Sequence, residues 1–144
     1  MRAAALALAL IAGGGCSPAR DMPLNAIADE AATGNPEGIV SAVSRLKQSG
    51  TRDAETLQDA LGRAMQVAPD RVLPLVGTSE ALAPRHICLP LLDPMAPPHW
   101  AKEQIEASRK AIEGVRDPSL AKPREACLAE VNSAATALDR GEEE

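Results

Sequence analysis

The chain beyond residue 20 is expected to fold as an all-α domain, an irregular helical bundle or a short superhelical array of αα-hairpins. Three observations carry this. Apolar residues recur there with a helical period, and no convincing alternating strand is found. The apolar share is 45%, that of a globular chain, but it is built from Ala, Leu, Ile, Val and Met, with one Trp, no Tyr and no Phe. Alanine favours helix above every other residue. Pro, Gly, Asn and Asp fall between the periodic stretches, where helix starts and stops belong. At 144 residues there is room for one domain of ordinary size and not for two.

Taken in order, Pro23 opens a first helix with Leu24, Ile27, Ala28 and Ala31 on one face and Gly34 as its stop. Asn35-Pro36-Glu37 is a start signal: Asn35 caps, Pro36 suits the first helical position and Glu37 complements the helix dipole. Ile39, Val43 and Leu46 share the inward face of this second helix, and Gly50 is expected to end it. Asp53 is expected to cap the third, whose stripe is Leu57, Leu61, Ala64, Met65 and Ala68 before Pro69 terminates it. Short links predict antiparallel packing of neighbours.

The middle is less regular. Val72-Leu73-Pro74-Leu75-Val76 and Ile87-Cys88-Leu89-Pro90-Leu91-Leu92 share Leu-Pro-Leu. An internal proline deletes a backbone bond, so each is expected to be a short or kinked helix. Their flanks do not match, which argues for chance similarity over a repeat. Asp93 to Pro98, with three prolines, reads as a stiff loop. Two long helices close the domain. The first spans about Pro98 to Val115 with Ala101, Ile105, Ile112 and Val115 inward, and Lys102–Glu106 and Glu106–Lys110 at the i, i+4 spacing of a solvated flank. Asp117-Pro118 restarts the chain and Pro123 marks a second start. The last helix reaches about Asp139, with Cys127, Leu128, Val131, Ala135 and Leu138 inward.

Composition excludes several function classes. A formal net charge of −5 gives no basic footprint for nucleic acid or anionic lipid. One aromatic residue leaves no stacking platform for single strands and no aromatic cage. His86, Cys88, Met95 and His99 sketch a soft-metal site, since thiolate, thioether and imidazole suit copper(I). Against it, Cys88 oxidised and both histidines on exposed, Pro-bounded turns explain the same residues. No Gly-x-Ser-x-Gly is present, and Thr78-Ser79-Glu80 reads as a helix cap. Glu103, Glu106 and Glu113 share their helix with Lys102, Arg109 and Lys110, as a solvated face does. No catalytic, cofactor-binding or metal residue is therefore assigned. Trp100 is read as a core plug at the start of its helix, the alternative being an exposed binding anchor.

The first fifteen residues have another character. Arg2 supplies a positive n-region, Ala3 to Ala12 an apolar run of Ala, Leu and Ile, and Gly13, Gly14 and Gly15 a small-residue stretch leading to Cys16. This is the layout of a secretory signal peptide, and the run is too short to cross a bilayer. With Gly14, Gly15 and Cys16 together, the segment resembles a bacterial lipoprotein signal; Gly13 stands where that family usually has a larger aliphatic. The resemblance implies cleavage before Cys16 and a diacylglyceryl thioether on its sulfur. By the same resemblance, Ser17 is compatible with sorting to the outer membrane. The competing reading is ordinary signal-peptidase cleavage after a small residue such as Gly14, giving a soluble periplasmic or secreted protein.

Cysteine parity bears on this choice. Three cysteines without a lipid would leave one thiol unpaired in an oxidising compartment; a lipid on Cys16 leaves Cys88 and Cys127 as an even pair. They stand 39 residues apart, and a bridge closing such a loop contributes about 4 kcal/mol in the chain-entropy account. Two buried free thiols are the alternative. The expected organisation is residues 1–15 as a removed signal peptide, 16–21 as a lipidated N-terminus and short linker, 22–140 as a single helical domain with one disulfide, and 141–144 as an acidic tail. The expected function is that of a lipid-anchored, non-enzymatic module at the outer membrane, facing the periplasm and binding another envelope protein. The alternatives are a metal-binding protein or enzyme centred on His86 and His99, and an immunity-type inhibitor of a periplasmic toxin.

Overall fold

The computed structural model describes residues 22–141; the signal segment, Cys16 and residues 142–144 lie outside the described residues. Among the described residues there are seven α-helices and no strand: α1 (Leu24–Ala32), α2 (Pro36–Leu46), α3 (Thr51–Val67), α4 (Pro69–Val72), α5 (Pro84–Ile87), α6 (Pro98–Gly114) and α7 (Ala121–Gly141). The fold is an all-α bundle with one disulfide, between Cys88 and Cys127.

The first three helices form because sequence and packing agree. Asn35 Oδ1 accepts from the N–H of Glu37 at 2.8 Å and of Gly38 at 3.2 Å, satisfying two donors that the start of α2 leaves open. Ile27, Ala28 and Ala31 of α1, and Ile39, Ala42 and Leu46 of α2, are buried with Leu57, Leu61, Ala64 and Met65 of α3 in one core. A Cβ on Gly38 would stand 2.6 Å from the carbonyl carbon of Glu30, so α1 and α2 touch where only glycine fits. α3 is the hub: α1, α2, α4, α5 and α6 all pack on it, and α7 packs on α6 and α5.

Several boundaries differ from expectation. Gly50 does not end α2, which stops at Leu46; it is the N-cap residue of α3. Asp53 therefore lies inside the first turn, where its charge meets the helix dipole, and it makes no cap. Pro69 ends α3 but also opens α4, which tightens into a 3₁₀ turn over Leu73–Leu75. The two Leu-Pro-Leu segments part company here. The second leaves the helix after Ile87, and Leu89 to Leu92 is non-helical. Pro123 does not start a helix; it sits in the first turn of α7, which a 3₁₀ turn over Pro118–Leu120 leads into. Missing backbone donors are harmless there, since those of a first turn have no partner inside the helix. α7 runs on through Gly141, beyond the expected end at Asp139.

Two arginines finish helix ends from a distance. Arg71 Nη1 donates to the carbonyl of Gly34 at 2.7 Å, and Arg124 Nη1 to that of Val115 at 2.7 Å. Between α3 and α6 lies a polar contact: Gln66 Nε2 is 3.1 Å from Gln104 Oε1 and 3.2 Å from Oγ of the fully buried Ser108. No buried side-chain nitrogen or oxygen among the described residues lacks a partner.

Candidate functional site

An open groove of about 990 Å³ lies between the first half of α3, α5, the Leu89–Leu92 segment and the second half of α7. Its position follows from three constraints that meet on α3. Gln58 Nε2 donates to the carbonyl of Ala81 at 2.8 Å, drawing the 3₁₀ turn Glu80–Leu82 onto the helix. At the next residue, Asp59 Oδ1 accepts from the N–H of Leu91 at 2.7 Å while Oδ2 pairs with Arg63 at 2.9 Å. Gly62 completes the seam. A Cβ there would lie 2.2 Å from the carbonyl oxygen of Leu89 and 2.6 Å from the nitrogen of Pro90, so the close approach requires glycine.

The opposite wall is α7, which presents Glu130, Ser133, Ala134 and Ala137 to the groove. The disulfide fixes its distance. Cys88, the residue after α5, and Cys127, one turn before Val131, are both fully buried, with Cα atoms 5.2 Å apart. The groove surface is mainly apolar, from Ala54, Leu89, Pro90, Ala134 and Ala137. Charge sits at the rim: Glu55, Asp59 and Glu130 are acidic, and Arg85 is drawn away into an ion pair with Glu80.

The residues singled out in the sequence are brought together only in part. Cys88 and Cys127 meet. His86 is half-buried and lines the groove, but His99 is exposed in the first turn of α6 and does not reach it. Cys88 spends its sulfur on Cys127 and is no thiolate ligand, and Met95 is 89% exposed. Among the described residues no group of three or more His, Cys, Asp and Glu side chains is placed to hold a metal ion. Trp100 is not a core plug: it is half-buried and lies outside the core cluster, because the first turn of α6 projects beyond Ala101 and Ile105, the first residues to reach the interior. Thr78-Ser79-Glu80 makes no side-chain cap; Thr78 Oγ1 donates back to the carbonyl of Leu75 at 2.7 Å and closes the preceding turn. The solvated face of α6 is as expected, with Glu106 taking Arg109 as partner at 2.6 Å.

A second, shallower concavity of about 720 Å³ lies between the end of α3 and the end of α6, lined by Gln66, Ala107, Ala111 and Asp117 among others. The Ser119 hydroxyl, and then its N–H, hold the Asp117 carboxyl below the usual carboxylate range. That hydrogen bonding is a turn cap, with Ser119 N 2.9 Å from Oδ1, and not the mark of an acid or base at work. No helix among the described residues is long and apolar enough to cross a membrane.

Comparison with protein-family models, with curated proteins and with solved structures gave no match.

Proposed function

We propose that the protein is a lipid-anchored module at the periplasmic face of the outer membrane that binds another envelope protein without chemistry of its own. The groove between α3, α5 and α7 would be its binding surface. One observation carries this reading: an open, mainly apolar trough whose two walls are locked by a buried disulfide. A trough with fixed walls is preorganised, so a docking helix or extended segment loses little to reordering the receptor. Its open shape and acidic rim suit a peptide segment better than a small molecule, whose site would be more enclosed. The sequence supports the anchor through Cys16, whose lipidation leaves the remaining two cysteines as the observed pair.

Affinity capture from cell envelopes tests the binding role. Ser133 and Ala137 are exposed on the α7 rim, so Ser133→Arg and Ala137→Arg fill the groove without touching the core. A partner held stoichiometrically by the wild type is expected to be lost from both variants. A partner retained by both would remove the groove from the proposal. Tight stoichiometric copper or zinc binding in equilibrium dialysis, lost in His86→Ala, would favour the metal reading instead. For the anchor, a radioactive fatty acid should label the wild type and not Cys16→Ala.

A further inference from the structure

Four large apolar side chains are mostly exposed among the described residues, and two belong to the short loop between α5 and α6: Leu91 at 67% and Met95 at 89%. This loop is held in shape. Asp93 accepts from the N–H of Met95 at 2.8 Å through Oδ1 and from that of Ala96 at 3.1 Å through its carbonyl, so Met95 sits at the tip of a fixed turn. Pro94, Pro97 and Pro98 carry no N–H, which removes three backbone donors that would otherwise need a partner away from water. Trp100, the only aromatic residue, adjoins the loop outside the core. An exposed Leu and Met in a loop followed in sequence by an amphipathic indole carry the side-chain chemistry of a membrane boundary.

The root of the loop lies on the flank where the chain enters the fold. Leu91 is bonded to Asp59, and Asp59 also lines the crevice between α3 and α1 with Asn25, Ala28 and Asp29. Residues 17–21, the segment between Cys16 and the described fold, span at most about 17 Å when fully extended. A lipid on Cys16 would hold this flank against a bilayer and present the loop to it at high local concentration. We propose that the loop between α5 and α6 is a second, non-covalent membrane contact, with Met95, at its tip, seated at the headgroup boundary of the bilayer that carries the Cys16 lipid and Leu91, which also lines the groove, at the edge of that contact. The contact rests on the anchor proposed above. It uses apolar area and not charge, since the chain's net charge of −5 gives no attraction for anionic lipid.

Trp100 supplies the reporter, because no other Trp or Tyr emits. The lipidated full-length protein is placed in phosphatidylcholine vesicles, with or without phosphatidylcholine brominated high on its acyl chains. Relative to Cys16→Ala protein in buffer, Trp100 emission is expected to shift to shorter wavelength and to be quenched by the brominated lipid. Amide exchange over residues 93–99 is expected to slow. The Met95→Glu variant, altered outside the groove, should lose all three effects while keeping its fatty-acid label and its circular dichroism. A labelled, vesicle-bound wild type with unquenched Trp100 and unchanged exchange overturns the loop contact and leaves the anchor standing. Protection of the loop only on adding an envelope protein assigns it to that protein and also overturns the contact. A wild type without label overturns anchor and contact together.

Discussion

Between Thr51 and Val67, α3 buries six of its 17 residues; between Ala121 and Gly141, α7 buries two of 21. Both helices are rich in alanine and similar in polarity, yet they are held in different ways. α3 stands among α1, α2, α5 and α6 and is stabilised by apolar contact on several sides. α7 lies at the margin of the bundle, where α6, α5 and a disulfide retain it. Alanine permits close helices but removes little area from water, at roughly 25 cal/mol per Å². Where a helix has neighbours all round, many small contacts suffice. Where it has neighbours on one side, a covalent bond makes up the difference.

Removing that bond should separate the regions most. Cys88→Ala/Cys127→Ala is expected to cost about 4 kcal/mol by loss of the loop constraint, measured as a fall in urea stability. Hydrogen exchange should accelerate more in α7 than in α1 to α3; equal acceleration everywhere would show that the bond does not act on α7 in particular. Next comes Leu61→Ala, which opens a cavity in the fully buried centre of α3 and should cost about 3 kcal/mol. Here the whole domain should melt together, since every neighbour of α3 loses its support. A loss confined to α3 would contradict its place as the hub.

Gly62→Ala probes the seam between the regions. The new methyl meets the Leu89 and Pro90 backbone, not a flexible side-chain end, so about 2 kcal/mol should be lost by overpacking. Because Cys88 tethers that backbone, the cost should shrink when the disulfide is absent. A double-mutant cycle reads this coupling, and strict additivity would show that the seam yields independently. The smallest effect belongs to Asp117. Its carboxyl pKa is lowered in the fold by Ser119, so its contribution is present above the unfolded value and disappears as pH falls through the lowered one. Asp117→Asn should flatten the acid limb of stability slightly, seen in urea midpoints below about pH 5; an unchanged limb would mean the cap adds nothing.

The contrast also explains what could be read from sequence. The inward residues of α1 to α3 were legible because each helix has one buried stripe and an ordinary stop or cap, as at Asn35 and Gly34. The inward faces of α6 and α7 were legible at Ile105, Ile112, Cys127 and Val131 for the same reason. Boundaries failed where a residue type serves two ends of a link: Gly50 starts one helix instead of stopping another. Nothing local announces that Arg71 closes α1, that Arg124 closes α6, or that Gln66 finds a buried Ser108, because each bond joins residues of different elements that only the packed fold brings together. The groove was illegible for that reason too. Its walls come from α3, α5 and α7, and its seam depends on Gly62, a helix-interior glycine with no signal beyond its poor propensity.

The burial of the Cys88 and Cys127 sulfurs sets an order of events. A water-borne oxidant cannot reach sulfur atoms with no accessible surface, so oxidation must precede the final seating of α7. A chain that packs first would shut two reduced thiols inside and stay that way until it opened again. Refolding yield should then depend on which is faster, the oxidant or the helix.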